Sequence, residues 1–219
     1  MSNVWLAPVD DVDESLVSKD AELGPGLLVE VWHRPRAVAR AVMAQGGTYG
    51  VLGLGAAMGW AEMDFWGDAS AMPGAAGPLL AGVMLGAPVM GVLLTYLQGV
   101  STYAGARVMG ASPRSVQKLT AAVAWGRVPA TATQLPLSLL LAWVWWSGWE
   151  VPSLLLAGLA GLSWVGWLWS WATTGHTVGE VLQVSAGRGV LATLVVPVGL
   201  STLLLLFAGA MLLLGGFAG

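Results

Sequence analysis

The chain has 219 residues, of which 56% are hydrophobic and only 10% are charged. Soluble domains carry roughly 25% charged residues, so this composition excludes an ordinary water-soluble domain and predicts a membrane protein. Acidic and basic residues are segregated along the chain, so the formal net charge of −3 indicates no class of partner. Cysteine is absent, which excludes disulfides, thiolate metal sites and cysteine nucleophiles.

Residues 1–25 form an acidic, polar segment without apolar periodicity. This composition predicts a partly disordered cytoplasmic tail, with an acidic docking peptide for a partner as the alternative. A secretory signal begins with basic residues followed by an apolar core, and this segment has neither. We therefore expect the first membrane span to act as an uncleaved anchor.

Residues 26–45 interleave apolar positions with three arginines, Arg34, Arg36 and Arg40. Pro35 divides the segment, because the residue before a proline disfavours the helical conformation while proline suits the first turn of a helix. The pattern predicts a basic interfacial helix, with its apolar side sunk in the membrane surface and its arginines near lipid phosphates. A cytoplasmic extension of the first span is the alternative.

Five apolar stretches follow within residues 46–214, each close to the length of a transmembrane helix. We expect spans at residues 45–61, 78–106, 128–146, 153–171 and 189–214, and a short uncharged end at 215–219. The first span reaches the required length only if its helix begins near Ala41. The sequence therefore predicts an all-α, polytopic membrane helical bundle with five transmembrane helices and a pre-span interfacial helix.

Two local patterns predict details of this bundle. Gly82 and Gly86, four residues apart and followed by Gly91, predict a close approach between helices, because small residues let backbones come together. Ser112 and Pro113 predict the start of a helix, with serine as the N-cap and proline at the first helical position.

The basic residues fall on one side of the predicted membrane if the N-terminus is cytoplasmic. Four of the nine lie in the segment 107–129, which joins the two apolar halves: Arg107, Arg114, Lys118 and Arg127. The predicted outer loops carry only acidic charges, at Glu62, Asp64, Asp68 and Glu150. Because short basic loops are retained in the cytoplasm, we expect a cytoplasmic N-terminus and a C-terminus outside.

The basic cytoplasmic face is the first candidate for a binding surface. Its proposed contacts with lipid or a partner are Arg34, Arg36, Arg40, Arg114 and Lys118. The positive-inside rule accounts for these charges, so nucleic acid is not an expected partner.

Arg127 is the second candidate, because an ionisable residue near or within a span is a functional hypothesis by default. At the inner edge of the membrane its side chain would extend to the lipid phosphates. Facing inward, it would line a polar pocket with Gln134 and Gln98.

Catalytic and metal chemistry have little support in the sequence. His176 and Glu180 are four residues apart and share a helix face, which fits a hydrogen-bonded interfacial pair better than an incomplete metal site. Glu62, Asp64 and Asp68 match the spacing of no metal-binding loop. The usual hydrolase, zinc-protease and nucleotide-binding motifs are missing, so we expect neither catalytic residues nor a cofactor.

Several motifs in this chain resemble the bacterial branch of the Yip family, the Ypt/Rab-interacting membrane proteins. They are WHRPR at residues 32–36, MGAS at 109–112, AWGRVP at 124–129 and GEVLQVS at 179–185, and the resemblance covers about residues 28–210. It implies a five-span helical protein with a cytosolic N-terminus, here in the bacterial cytoplasmic (inner) membrane. Eukaryotic members are linked to Rab GTPases, a role that is not carried over to this chain.

We therefore expect a non-enzymatic, Yip-type integral membrane protein that binds a membrane partner or organises lipid through its basic cytoplasmic face. One alternative is a small transporter or channel subunit with a polar path near Arg127 and Gln134. Another is an accessory subunit of a larger membrane complex. The expected partners are membrane lipids, together with a membrane protein or a second copy of the chain.

Overall fold

The computed structural model describes residues 26–46, 50–62, 76–148 and 150–216, and the secondary structure of these residues is helical. We number their eight helices in chain order. They are α1 (Gly26–Glu30), α2 (Pro35–Ala44), α3 (Val51–Glu62), α4 (Ala76–Val108), α5 (Val116–Gly126), α6 (Val128–Ser147), α7 (Ser153–Leu182) and α8 (Ala186–Gly216). The acidic tail, Asp64, Asp68 and the last three residues lie outside the described residues.

Within the ranges that the structure describes, three helices are long and apolar enough to cross a membrane. The apolar stretches are Leu85–Val108 in α4, Ser153–Leu182 in α7 and Ala186–Ala208 in α8. The helix α6 contains a shorter apolar stretch, Val128–Val144. The prediction of an all-helical membrane protein is confirmed at this level, while five crossings and their orientation stay predictions.

The first predicted span does not form one continuous helix from Ala41. The helix α2 ends at Ala44, and both Gly46 and Gly50 have positive φ angles, of 92° and 73°. Glycine adopts this left-handed conformation readily, and it ends the helical path of the backbone. The next helix, α3, has 12 residues and is therefore about 18 Å long, less than the roughly 30 Å of a bilayer core.

The fourth predicted span is longer in the structure than in the prediction. The helix α7 continues beyond residue 171 to Leu182, so most of the connection expected at residues 172–188 is helical. Its 30 residues give a length of about 45 Å, which exceeds the bilayer core by about 15 Å. The helix ends at Gln183, whose positive φ angle of 57° turns the chain toward α8.

The predicted start of the helix after residue 110 is also wrong, by three residues. The N-cap of α5 is Ser115 rather than Ser112, and the Ser115 hydroxyl accepts a hydrogen bond of 3.4 Å from the backbone N–H of Lys118. An unpaired N–H at the start of a helix needs such an acceptor, and Ser115 supplies it three residues after the predicted position.

Close packing between α3 and α4 depends on glycines. A Cβ atom added to Gly59 would overlap the carbonyl of Ala87, and one added to Gly91 would overlap the backbone of Gly55 and Gly59. Gly86, by contrast, has open space where its Cβ would be. Of the glycines predicted to make this contact, Gly91 faces α3 and makes it, Gly86 does not, and the surroundings of Gly82 lie outside what the structure describes.

One core of buried apolar side chains lies where α1, α2 and α5 pack together with the first residues of α3 and α6. This core contains Leu27, Val31, Val38, Val42, Val51, Ala121, Trp125 and Val128. Apolar side chains of α8 are largely exposed, including Leu203, Leu204 and Phe207. Exposed apolar faces on long helices suit contact with lipid, whereas the buried cluster resembles the core of a soluble domain.

Two threonines join α7 to α5. The hydroxyl of Thr177 donates a hydrogen bond of 2.7 Å to the carbonyl of Ala122, and the hydroxyl of Thr173 donates one to the carbonyl of Gly126. Both threonines are buried, so these bonds satisfy groups that water does not reach. They hold the end of α5, and with it the following residue Arg127, against α7.

Candidate functional site

A cavity of about 480 Å³ lies between α3, α6 and α7. Its volume is within the range of pockets that bind small molecules. Polar and apolar side chains share its wall, which consists of Ala61, Glu62, Arg127, Gln134, Leu137, Ser138, Leu141, Ala160, Ser163, Trp164 and Trp167. The cavity is partly open, so a ligand could reach it without unfolding a helix.

An ion pair crosses the wall of this cavity. One guanidinium nitrogen of Arg127, Nη2, donates a hydrogen bond to Oε1 of Glu62. The two side chains are 19% and 27% exposed, so the pair is mostly shielded from solvent. Since a shielded pair is screened less than one on the surface, it interacts more strongly than an ordinary surface salt bridge.

Local structure fixes both partners of this ion pair. Arg127 is the single residue between α5 and α6, and its backbone N–H bonds to carbonyls of the last turn of α5. Glu62 is the last residue of α3. The hydroxyl of Ser138 in α6 donates a hydrogen bond of 3.1 Å to the carbonyl of Ala61, which ties this end of α3 to α6. The ion pair therefore rests on two backbone positions that are independently held.

The other polar groups of the cavity differ in how well they are satisfied. The hydroxyl of Ser163 donates to the carbonyls of Leu159 and Thr133, at 2.9 and 3.2 Å. The side-chain oxygen of Gln134 is buried and has no hydrogen-bond partner within the described part of the chain. Buried acceptors are nearly always paired with protein or water, so this oxygen marks a place where a donor from water or a ligand would fit.

Two tryptophans form the apolar part of the wall on α7. The rings of Trp164 and Trp167 pack edge to face, with their centroids 5.6 Å apart. Trp164 is 65% exposed, so the cavity has an aromatic rim that faces outward from the bundle.

The structure brings together two of the three residues predicted for a polar pocket. Arg127 and Gln134 line the same cavity, but Gln98 is on α4 and is not part of its wall. Glu62 was missed, because the sequence placed it in an outer loop. The available signal was a carboxylate directly after an uncharged, glycine-rich stretch, since such a residue needs a basic partner inside a membrane bundle.

A second polar cluster joins α2 to α7. Glu180 accepts ion pairs from Arg36 and Arg40, at 3.7 and 3.5 Å, and Nε of Arg36 donates to Nδ1 of His176 at 3.4 Å. Arg36 contacts His176, and Arg40, one turn later, contacts Glu180, one turn after His176. The two helices therefore run side by side in the same direction. The indole N–H of Trp169 adds a bond of 3.2 Å to the carbonyl of Trp32.

This cluster changes the interpretation of the predicted basic surface. Arg36 and Arg40 pair with Glu180, and Arg36 also donates to His176, so these two predicted contacts are partly occupied within the protein. Of the remaining predicted contacts, Arg34 and Arg114 are exposed, and Lys118 is half-buried.

Neither cluster resembles a metal centre. Within the described residues, no group of three or more His, Asp or Glu side chains is close enough to hold a metal ion. No known protein family, curated protein or solved structure matches this chain in comparisons. The function proposed below therefore depends on the geometry of the cavity alone.

Proposed function

We propose that this chain is an integral membrane protein that binds a small polar ligand inside its helix bundle, at the Glu62–Arg127 cavity. This is the role of a small transporter or of a channel subunit. The observation that carries the proposal is the ion pair in the cavity wall. The role that we propose for it is binding or passage of that ligand.

The energetics of ion pairs support a functional role for Glu62 and Arg127. Removing two charges from water costs several kcal/mol per ion, and apolar residues of similar size often replace a buried pair without loss of stability. Charged residues inside membrane bundles accordingly mark ligand or ion pathways. The unpaired oxygen of Gln134 in the same wall is a further reason to expect a polar occupant.

The proposed topology is five crossings with the N-terminus in the bacterial cytoplasm. Its support is the distribution of charge. Every lysine and arginine lies in a segment predicted to be cytoplasmic, or at the membrane edge of one. This arrangement requires α3 and α6 to cross together with α4, α7 and α8, although α3 alone, about 18 Å long, is shorter than a bilayer core. The same topology is what the resemblance to the Yip family implies.

Access of water to the cavity provides the experimental test. The natural chain has no cysteine, so each introduced cysteine is a unique reporter. Ala160→Cys places a thiol in the cavity wall, Leu204→Cys places one on an exposed apolar face of α8, and Glu150→Cys places one in an exposed turn. The reporters are treated with a charged methanethiosulfonate reagent in proteoliposomes.

We expect Ala160→Cys and Glu150→Cys to react and Leu204→Cys to stay unmodified, because a charged reagent needs an aqueous route. Addition of a small polar solute that occupies the cavity should slow the reaction of Ala160→Cys and leave the reaction of Glu150→Cys unchanged. An unreactive Ala160→Cys beside a reactive Glu150→Cys would mean a dry, closed interior and would exclude the proposal.

A second candidate function is lipid or partner binding through the cytoplasmic face. The observation in its favour is that Arg34 and Arg114 are exposed and have no carboxylate partner among the described residues. Arg34→Ala and Arg114→Ala should each reduce the amount of anionic lipid that co-purifies in mild detergent. If both arginine variants retain as much anionic lipid as the exposed, uncharged control Gln117→Ala, this role is excluded.

A further inference from the structure

We infer that the ligand of the cavity is a zwitterion, with an ammonium group held near Glu62 and a phosphate or carboxylate held near Arg127. This inference rests on the function proposed above and specifies its ligand class. It follows from the charge balance of the wall, the shape of each charged group and the apolar rim.

The charge balance of the wall disfavours ligands with a net charge. Among the described lining residues, Arg127 and Glu62 are the two that carry charge, so their formal charges cancel. An anion or a cation alone would break the ion pair and leave one charge without a partner among side chains that are mostly shielded from bulk solvent. Such an unpaired buried charge is strongly unfavourable. A zwitterion replaces one ion pair with two.

Each half of the ion pair matches one half of such a ligand. The guanidinium group of Arg127 has a planar set of donors that fits the oxygens of a carboxylate or a phosphate. The carboxylate of Glu62 accepts from an ammonium group, and the aromatic faces of Trp164 and Trp167 attract cations. The side-chain oxygen of Gln134, now without a partner, is an additional acceptor for an N–H.

The rest of the wall indicates that the ligand has an apolar part. Leu137 and Leu141 line the cavity beside the polar groups, and Trp164 forms its exposed rim. Two sources share this chemistry: the head group of a zwitterionic phospholipid entering from the side, and a free amino acid with an apolar side chain.

Binding of matched probes to the purified full-length chain tests the inference. The zwitterions are dihexanoyl phosphatidylethanolamine for the lipid source and leucine for the free solute. Dihexanoyl phosphatidic acid carries only the anion, and hexylammonium carries only the cation. We expect at least one zwitterion to bind about tenfold or more tightly than both singly charged probes, a difference of about 1.4 kcal/mol. The tighter of the two zwitterions identifies the source.

Single neutralisations of the ion pair should change the preference in opposite directions. Glu62→Gln leaves the positive charge of Arg127 and should shift binding toward phosphatidic acid. Arg127→Gln leaves the carboxylate of Glu62 and should shift binding toward the ammonium probe. If either variant fails to fold, the double variant Glu62→Gln/Arg127→Gln keeps the wall neutral and should lose at least tenfold in affinity for the zwitterion.

The possible failures of this inference and of the proposed function are distinguishable. Binding of a singly charged probe as tightly as the zwitterions would overturn the inference and leave the binding cavity in place. Absence of binding by all four probes, with Ala160→Cys still reactive, would also overturn only the inference. An unreactive Ala160→Cys would remove the cavity as a binding site and the ligand class with it.

Discussion

Arg127 and Glu62 form an ion pair across 65 positions of sequence, between the start of α6 and the end of α3. Among the described residues that line their cavity, neither has another charged neighbour. The pair therefore joins two elements that the chain connects only through the whole of α4 and α5. Its position makes it both a packing contact and the polar centre of a site.

Packing of α3 against α4 yields the first prediction. Gly91→Ala adds a methyl group that overlaps the backbone of α3, and it should lower the free energy of unfolding by about 1–3 kcal/mol. The measurement is thermal or denaturant unfolding of the purified protein in detergent.

Matched controls for this prediction lie on the same two helices. Gly53→Ala in α3 and Gly86→Ala in α4 add the methyl group to open space. They should leave stability unchanged or raise it by up to about 1 kcal/mol, because alanine is the better helix former. Equal losses at Gly91 and Gly86 would show that the two helices are not packed as described.

The attachment of α2 yields the second prediction. Glu180→Gln removes the carboxylate that pairs with Arg36 and Arg40, whose side chains are about one-third exposed. Partly exposed pairs contribute modestly, so we expect a loss of about 1 kcal/mol and faster amide hydrogen exchange in α2. High salt should reduce the difference from the natural chain, since it screens these pairs.

The control for this substitution is Glu30→Gln. Glu30 is exposed at the end of α1, and its neutralisation should leave hydrogen exchange in α2 unchanged. Unchanged exchange in Glu180→Gln as well would mean that α2 is held by its apolar side chains alone, chiefly Val38 and Val42.

Membrane topology yields the third prediction. Reporters that are active on one side of the membrane should place Gly110 in the cytoplasm and Glu150 and Gly219 outside. The reason is the retention of short basic segments on the cytoplasmic side, and the loop at Gly110 lies between Arg107 and Arg114. A cytoplasmic reporter at Gly219 would contradict five crossings with a cytoplasmic N-terminus.

Long apolar runs made four of the helices predictable. The spans expected at residues 78–106, 128–146 and 189–214 match α4, α6 and α8 to within three residues at each end. The start of α7 was predicted at its observed position, but its end was not. Its polar last turns resemble a loop in composition, and they are helical because Thr173 and Thr177 bond to α5.

The site was less predictable than the spans. Arg127 and Gln134 line one cavity, because Arg127 directly precedes α6 and Gln134 lies about two turns further along that helix. Glu62 could not be assigned to them, since its placement depends on the break at Gly46 and Gly50, which shortens α3 and changes where the carboxylate ends. Hydropathy alone gives no account of contacts between distant helices.

The clearest test of the account is a double-mutant cycle on the ion pair, made from Glu62→Gln, Arg127→Gln and the double variant. Each single variant leaves one shielded charge unpaired. The sum of the two single losses in unfolding free energy should therefore exceed the loss in the double variant. The coupling free energy from unfolding in detergent should be about 1 kcal/mol or more. Additive effects, with a coupling near zero, would contradict the ion pair and the ligand site built on it.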